Sequence, residues 1–78
     1  MTKLNVSNSQ STLRVLRLKQ LQERIGLSRS TIYDRLNSSS PRYDKNFPKP
    51  FRLGGVAVGW LESEVEEWIC DRCREESK

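Results

Sequence analysis

Apolar residues recur along this chain at two different periods, and the change of period divides it into elements. Leu18, Leu21 and Ile25 fall three and four apart, separated by Lys19, Gln20, Gln22, Glu23 and Arg24. That spacing predicts a helix with one buried face over residues 19–25. Gly26 supplies the left-handed residue that commonly closes a helix. Ser28 reads as the N-cap of a second helix, its hydroxyl placed to accept from a first-turn amide that has no helical partner. Ile32 and Leu36, four apart, give that helix its inward face, and Leu27 precedes the cap as one half of a hydrophobic staple on Ile32. The run Asn37-Ser-Ser-Ser-Pro41 ends it, because Asn and Ser favour turns and Pro cannot continue a helix.

Past a polar loop over residues 42–48 the period becomes two. Phe51 with Leu53, and Val56 with Val58 and Trp60, predict two short strands over 48–53 and 56–60 around a Gly54-Gly55 turn. Pro48 and Pro50 suit an edge strand. The helical period then returns in Leu61, Val65, Trp68 and Ile69, a continuous apolar stripe. Glu62 and Glu64 stand near that helix's positive end, and Arg72 and Arg74 near its negative end. Ile32, Leu36, Trp60, Val65, Trp68 and Ile69 are the expected core. Residues 1–12 are polar and read as a disordered arm, 13–18 as a short extended lead-in, 13–72 as one domain and 73–78 as a flexible tail.

Composition narrows the function. With 78 residues, 35% of them hydrophobic and 8% aromatic, the chain has material for one small core and no room for a substrate or cofactor domain. It has no histidine, which removes the commonest general base and zinc ligand. No paired base and nucleophile, phosphate-binding glycine loop or complete metal set is present, so the chain is not expected to be an enzyme or to carry a cofactor or metal. Cys70 and Cys73 are three apart on the last helix. Zinc would need two further ligands, and a redox pair gains nothing from a helix C-terminus, so two reduced thiols are expected. No run approaches a membrane span, no secretory leader is expected, and a cytoplasmic, nucleoid-associated protein follows.

The charge is unevenly placed. Residues 1–60 carry eleven basic side chains against Glu23, Asp34 and Asp44, whereas residues 61–78 carry three against seven acids. A basic body with an acidic last helix suits a polyanion met by the first part alone. Two short helices joined by Gly-Leu-Ser, a hairpin and a packing helix together describe a winged helix-turn-helix, mainly α with a small two-stranded wing. In such a fold the second helix, here residues 29–37, enters the major groove. With Ile32 and Leu36 inward, Ser28, Arg29, Ser30, Thr31, Tyr33 and Arg35 are candidate contacts. Arg reads guanine, and Ser, Thr and Tyr donate to phosphates. The hairpin, residues 49–60, adds Lys49 and Arg52 beside Gly54 and Gly55. Each has a plainer reading: a cap for Ser28, a core edge for Tyr33, a turn for the glycines.

Three stretches carry a family likeness: Gly26-Leu-Ser-Arg-Ser-Thr-Ile-Tyr33, Phe47-Pro-Lys-Pro-Phe-Arg-Leu-Gly-Gly55 and Val58-Gly-Trp-Leu-Glu-Ser-Glu-Val-Glu-Glu-Trp-Ile69. In their order they cover about two-thirds of the chain, and residues 17–69 resemble the AlpA family of small prophage regulators, related to MerR-type excisionase domains. The resemblance implies a DNA-binding winged helix-turn-helix, acting as a transcriptional regulator or an excisionase-like directionality factor. It places Ser28, Arg29, Ser30, Thr31 and Tyr33 on the recognition helix, with Arg52, Gly54 and Gly55 on the wing. Val56 stands where the family often has a basic residue, and the connection over residues 37–46 is longer than the usual brief link, a length expected either to reposition the wing or to bring Arg42 and Lys45 to the phosphates. The implied partner is double-stranded DNA, with further copies of the chain on tandem or inverted sites, RNA polymerase or a phage integrase as additional candidates. The alternative is a protein-interaction adaptor or anti-repressor using the same fold without specific DNA binding.

Overall fold

A computed structural model describes residues 13–76; the arm expected over residues 1–12 lies outside them. The described elements are β1 (Val15–Leu16), α1 (Leu18–Ile25), α2 (Arg29–Leu36), β2 (Phe51–Gly54), β3 (Ala57–Leu61) and α3 (Glu62–Glu76). The architecture is a winged helix-turn-helix, mainly helical with a small antiparallel sheet.

The helical period places α1 as expected. Leu21 is fully buried, and Leu18 and Ile25 pack against the core from the same face. At the start of the helix the Arg17 backbone N–H donates to Gln20 Oε1 at 2.9 Å. Gly26 closes α1 at φ 72°, donating its N–H to the Gln22 carbonyl. Ser28 caps α2 as expected, its Oγ accepting from the Thr31 N–H at 3.2 Å. Leu27 packs against the cluster that contains Ile32.

The lead-in forms β1, a true strand, and the wing becomes part of a three-stranded sheet of order β1–β3–β2. Val15 pairs with Leu61 and Leu16 with Trp60. On the other side of β3, Phe51 pairs with Gly59 and Arg52 with Val58. β3 has no room for a side chain at Gly59. A Cβ there would lie 2.5 Å from Val15 Cγ1 and 3.3 Å from the Leu16 carbonyl oxygen, so glycine is what lets β1 lie close against β3.

Several boundaries differ from the sequence expectation. Gly54 is paired with Ala57 across an irregularity after Arg52, so the hairpin tip is Gly55–Val56 and not Gly54-Gly55. β2 begins at Phe51, beyond both prolines, whose missing N–H groups cannot serve the ladder. All four β2 residues are exposed, so the alternation expected there fails. β3 does not keep it either, for Gly59 and Trp60 are both buried between half-buried Ala57, Val58 and Leu61, and Val56 stands fully exposed at the tip. Leu61 ends β3 and does not open the last helix. α3 in turn runs to Glu76, through residues expected as tail.

The core consists of Leu16, Leu21, Ile32, Phe47, Trp60 and Val65, with Leu36, Val58, Trp68 and Ile69 half-buried around it. Phe47 was not among the expected core residues, since it stands in a polar segment with no period. It is 1% exposed and meets Trp68 edge-on, ring centroids 5.0 Å apart at 76°, the arrangement aromatic quadrupoles favour. Phe47→Ala is expected to cost about 3–5 kcal/mol, the usual penalty for emptying a buried aromatic site. In a domain this small that approaches the whole folding free energy. Urea denaturation followed by circular dichroism should show the variant largely unfolded without denaturant.

Candidate nucleic-acid interface

Three residues separate α1 from α2, and the turn is set by Gly26, the core-facing Leu27 and the cap Ser28. With Ile32 buried, the opposite face of α2 presents Arg29, Ser30 and Tyr33 to solvent. The Arg29 guanidinium lies 5.7 Å from the Tyr33 ring centroid, one helical turn away. This cation–π contact steadies a planar, fork-shaped donor at the start of the helix. Ser28 is committed to structure: besides capping, its hydroxyl donates to Thr31 Oγ1 at 2.9 Å and lies 3.4 Å from Ser30 Oγ.

Asp34 is an acid on a face expected to meet an anion, and the chain answers it locally. Ser40 donates to Asp34 Oδ1 at 2.5 Å, and Arg42 Nε lies 3.2 Å from Asp34 Oδ2. Ser30, Thr31, Tyr33, Asp34, Asn37 and Arg42 line one open concavity. Arg42 thus belongs to the same surface as α2, although it lies in the connection and was expected there only as a residue the long connection could bring to the phosphates. Only the unusual length of that connection and its cations hinted at it; the Asp34 pairing has no local sequence signal.

The other candidates are dispersed. Arg52, Gly54 and Gly55 form the exposed wing, where Arg52 Nη1 reaches the Gly55 carbonyl at 3.5 Å. Gly54 and Gly55 take φ of 141° and 54°, values that explain glycine there without any ligand. Lys49 precedes β2, donates to the Lys45 carbonyl at 3.0 Å and shares a concavity with Glu64, Glu67 and Asp71 of the acidic helix. Arg35 is half-buried and turns toward the connection, in a concavity with Arg42, Lys45 and Arg72. Ser30, Thr31 and Tyr33 are brought together; Lys49 stands apart from them on another surface.

Ion pairs divide the cations. Arg24 of α1 pairs with Glu62 at 3.4 Å and Glu66 at 2.7 Å, and Arg14 lies 3.8 Å from Glu62. Glu62 and Glu66 of α3 are therefore balanced by α1 and the lead-in, and Arg29 has no carboxylate in ion-pair range among the described residues.

The family described as Prophage CP4-57 regulatory protein (AlpA) matches residues 14–73. The chain belongs to the AlpA family. It is 49% identical over 67 residues to the DNA-binding transcriptional activator AlpA of Escherichia coli (strain K12), covering 86% of this chain and 96% of that protein. It is also 41% identical over 59 residues to the uncharacterized protein ORF88 of Enterobacteria phage P4, covering 76% of this chain and 60% of that one. No solved structure matches. The stretch matched to the AlpA family runs from just before β1 into α3 and includes the whole 37–50 connection, so the helix-turn-helix, its loop and its wing all fall within the family's extent.

The connection holds one titrating group of structural consequence in this AlpA-family domain. Asp44 Oδ1 accepts from the Asn46 backbone N–H at 2.9 Å, and Oδ2 accepts from the Trp68 indole at 3.0 Å. Burial acts to raise its pKa. The Trp68 and Asn46 hydrogen bonds and the charges of Arg72 and Arg35 outweigh burial and hold the carboxyl below its ordinary value. A depressed folded-state pKa contributes stability that is complete above the ordinary aspartate pKa of about 3.9 and is lost as pH falls through the lower folded value. Asp44→Asn should therefore be less stable than the parent at neutral pH, with the gap narrowing in acid. Thermal melts of both proteins across that range measure it, and a gap that widens in acid would contradict the assignment.

Proposed function

We propose that this chain is a sequence-specific double-stranded DNA-binding regulator that lays α2 in the major groove and its β2–β3 wing along the flanking backbone. The observation that carries this reading is the outward face of α2. Arg29 stands stacked on Tyr33 and free of any carboxylate partner among the described residues, Ser30 is exposed beside it, and the Arg42 guanidinium balances Asp34. Arg29 is the base reader, bidentate to guanine. Ser30, Thr31 and Tyr33 donate to phosphates, and Ser28 serves by holding the first turn. Arg52, Gly54 and Gly55 bring the wing to the sugar-phosphate backbone. Val56 at the tip makes that contact apolar, unlike the basic wing tip common in the family.

The family and the E. coli relative, whose name is that of a DNA-binding transcriptional activator, support a regulator that acts by binding and not by catalysis. Transcriptional control and an excisionase-like role in recombination use the same contacts and differ in where the site lies. One domain of this size buries little surface on DNA, so specificity comes from two or more copies on tandem or inverted sites. RNA polymerase or a phage integrase would then be a neighbour on the same DNA. Among the described residues no helix is long and apolar enough to cross a membrane, in keeping with action in the cytoplasm. The adaptor reading has one observation in its favour, the apolar exposure of Phe51, Leu53 and Val56 on the hairpin, which suits a protein contact.

Selection of bound duplexes from a randomised pool at near-physiological salt tests the proposal. An enriched motif is expected, with tandem or inverted half-sites giving the arrangement of copies. Arg29→Ala should weaken binding to that motif by about 1–3 kcal/mol and relax preference at one base position. Ser28→Ala should cost about 1 kcal/mol of folding stability and leave the preference unchanged. Failure of the folded protein to enrich any motif would overturn the reading in favour of the adaptor.

A further inference from the structure

Behind α2 lies a second basic surface that the recognition-helix contacts do not use. Arg35 from the end of α2, Arg42 and Lys45 from the connection and Arg72 from α3 line one open concavity, with Asp44 as its acid. The Asp44 carboxylate is committed inward, both oxygens accepting the hydrogen bonds already described. Arg35 is half-buried, and its Nε is buried with no hydrogen-bond partner among the described residues. That Nε is itself out of a ligand's reach, so Arg35 would meet an acceptor in the concavity through its terminal nitrogens. Lys45 is exposed, and no carboxylate lies in ion-pair range of its ammonium among the described residues. Arg72 stacks over the Trp68 ring at 5.8 Å, and its nearest carboxylate, Glu75, is 3.9 Å away. Arg42 lines both this concavity and the one on the face of α2, so the two surfaces are continuous; its Nε lies on Asp34, which leaves its terminal nitrogens for the cleft.

We propose that the cleft formed by Arg35, Arg42, Lys45 and Arg72 is a phosphate-binding site, filled by a backbone phosphodiester of the duplex whose major groove receives α2. The proposal rests on the DNA-binding reading. Its chemistry is that of phosphate clamps generally: converging guanidinium forks and an ammonium meet the non-bridging oxygens and carry no base information. The long connection over residues 37–46 thereby has a use, for it brings Arg42 and Lys45 to a site that α2 alone would not make. It also gives α3 one basic point, Arg72, on the side where the connection packs, away from the acids that pair with α1.

The test measures binding of a labelled mixed-sequence duplex by fluorescence anisotropy over a series of salt concentrations, for the parent, Lys45→Gln and Lys45→Gln/Arg72→Gln. Lys45→Gln removes an exposed charge and leaves the fold untouched, which keeps the test sound if the Arg72 change loosens Trp68. Each lost phosphate contact lowers the slope of log affinity against log salt by about 0.9. The single variant should show a shallower slope, the double variant a shallower one still, with equal weakening on all sequences. Unchanged slopes in both, while Arg29→Ala still weakens binding, would overturn the cleft and leave the DNA-binding reading standing. If the parent binds no duplex, the functional reading fails instead, and inorganic phosphate decides the cleft. A saturable change in tryptophan fluorescence against chloride at equal ionic strength, lost in the double variant, would support a site for a free phosphate. No such change would overturn it.

Discussion

Five consecutive residues of the connection, 44 to 48, tie together α2, α3 and β3. The Asp44 backbone N–H donates to the Arg35 carbonyl at 2.9 Å, holding the end of α2. The Asp44 carboxylate takes the Trp68 indole, holding α3. Phe47 is buried against the same indole and donates its own N–H back to the Asp44 carbonyl. The Pro48 carbonyl accepts from the buried Trp60 indole at 3.1 Å, holding β3. Two tryptophans in a core this thin each bring an N–H that must find an acceptor once it leaves water. The connection supplies both acceptors. Without it the indoles would be buried unsatisfied, and the hydrophobic gain from their rings would be offset by the loss of hydrogen bonds to solvent.

The same segment governs the electrostatics. A helix intended for a polyanion has to keep its acids from repelling the ligand, and here Asp34 is balanced by Ser40 and Arg42 of the connection. Glu62 and Glu66 near the start of α3 are balanced from the other side, by Arg24 and Arg14. The result is a sorted surface: Arg24 is spent on α3 and Arg42 on Asp34, and Arg29 of α2 remains outward with no carboxylate in ion-pair range among the described residues. The net charge of +4 understates the positive potential of the first part of the chain, because seven of the ten acids counted in it lie in residues 61–78.

What was legible in the sequence was whatever is decided within one or two turns of chain. The face of α1 follows from spacings of three and four, and the left-handed Gly26 and the Ser28 cap from residue type, all as expected. Of the stripe expected on the last helix only Val65 is fully buried, with Trp68 and Ile69 half-buried and Leu61 in β3. The errors came from partners distant in sequence. Leu16 becomes a core residue only because β1 finds the edge of β3, and that approach depends on Gly59 having no side chain. Phe47 sits among Asp, Lys, Asn and Pro, so no period marks it; its burial is decided by Trp68, on another element. The hairpin tip moved by one residue because the irregularity after Arg52 lets Gly54 pair with Ala57. The candidate contacts divided in the same way. Arg29, Ser30, Thr31 and Tyr33 follow from helical geometry, whereas Arg42 joins them through a pairing with Asp34 that no local pattern encodes.

The wing shows how that division bears on function. Its outer strand, β2, is exposed throughout, and its tip carries Val56 in place of a cation. On the proposed reading such a wing would bring Arg52 and no cation at its tip to the backbone, and so little to the salt-dependent part of DNA affinity, which grows with the number of phosphates neutralised. The cations a basic wing tip would provide stand instead in the connection, at Arg42 and Lys45, next to the end of α2. An ordered connection can take over phosphate contacts only if it is held rigidly, since a mobile cation would lose conformational entropy on binding. The anchoring through Asp44, Phe47 and Pro48 supplies that rigidity, so the residues that complete the core also fix the cations beside the recognition helix.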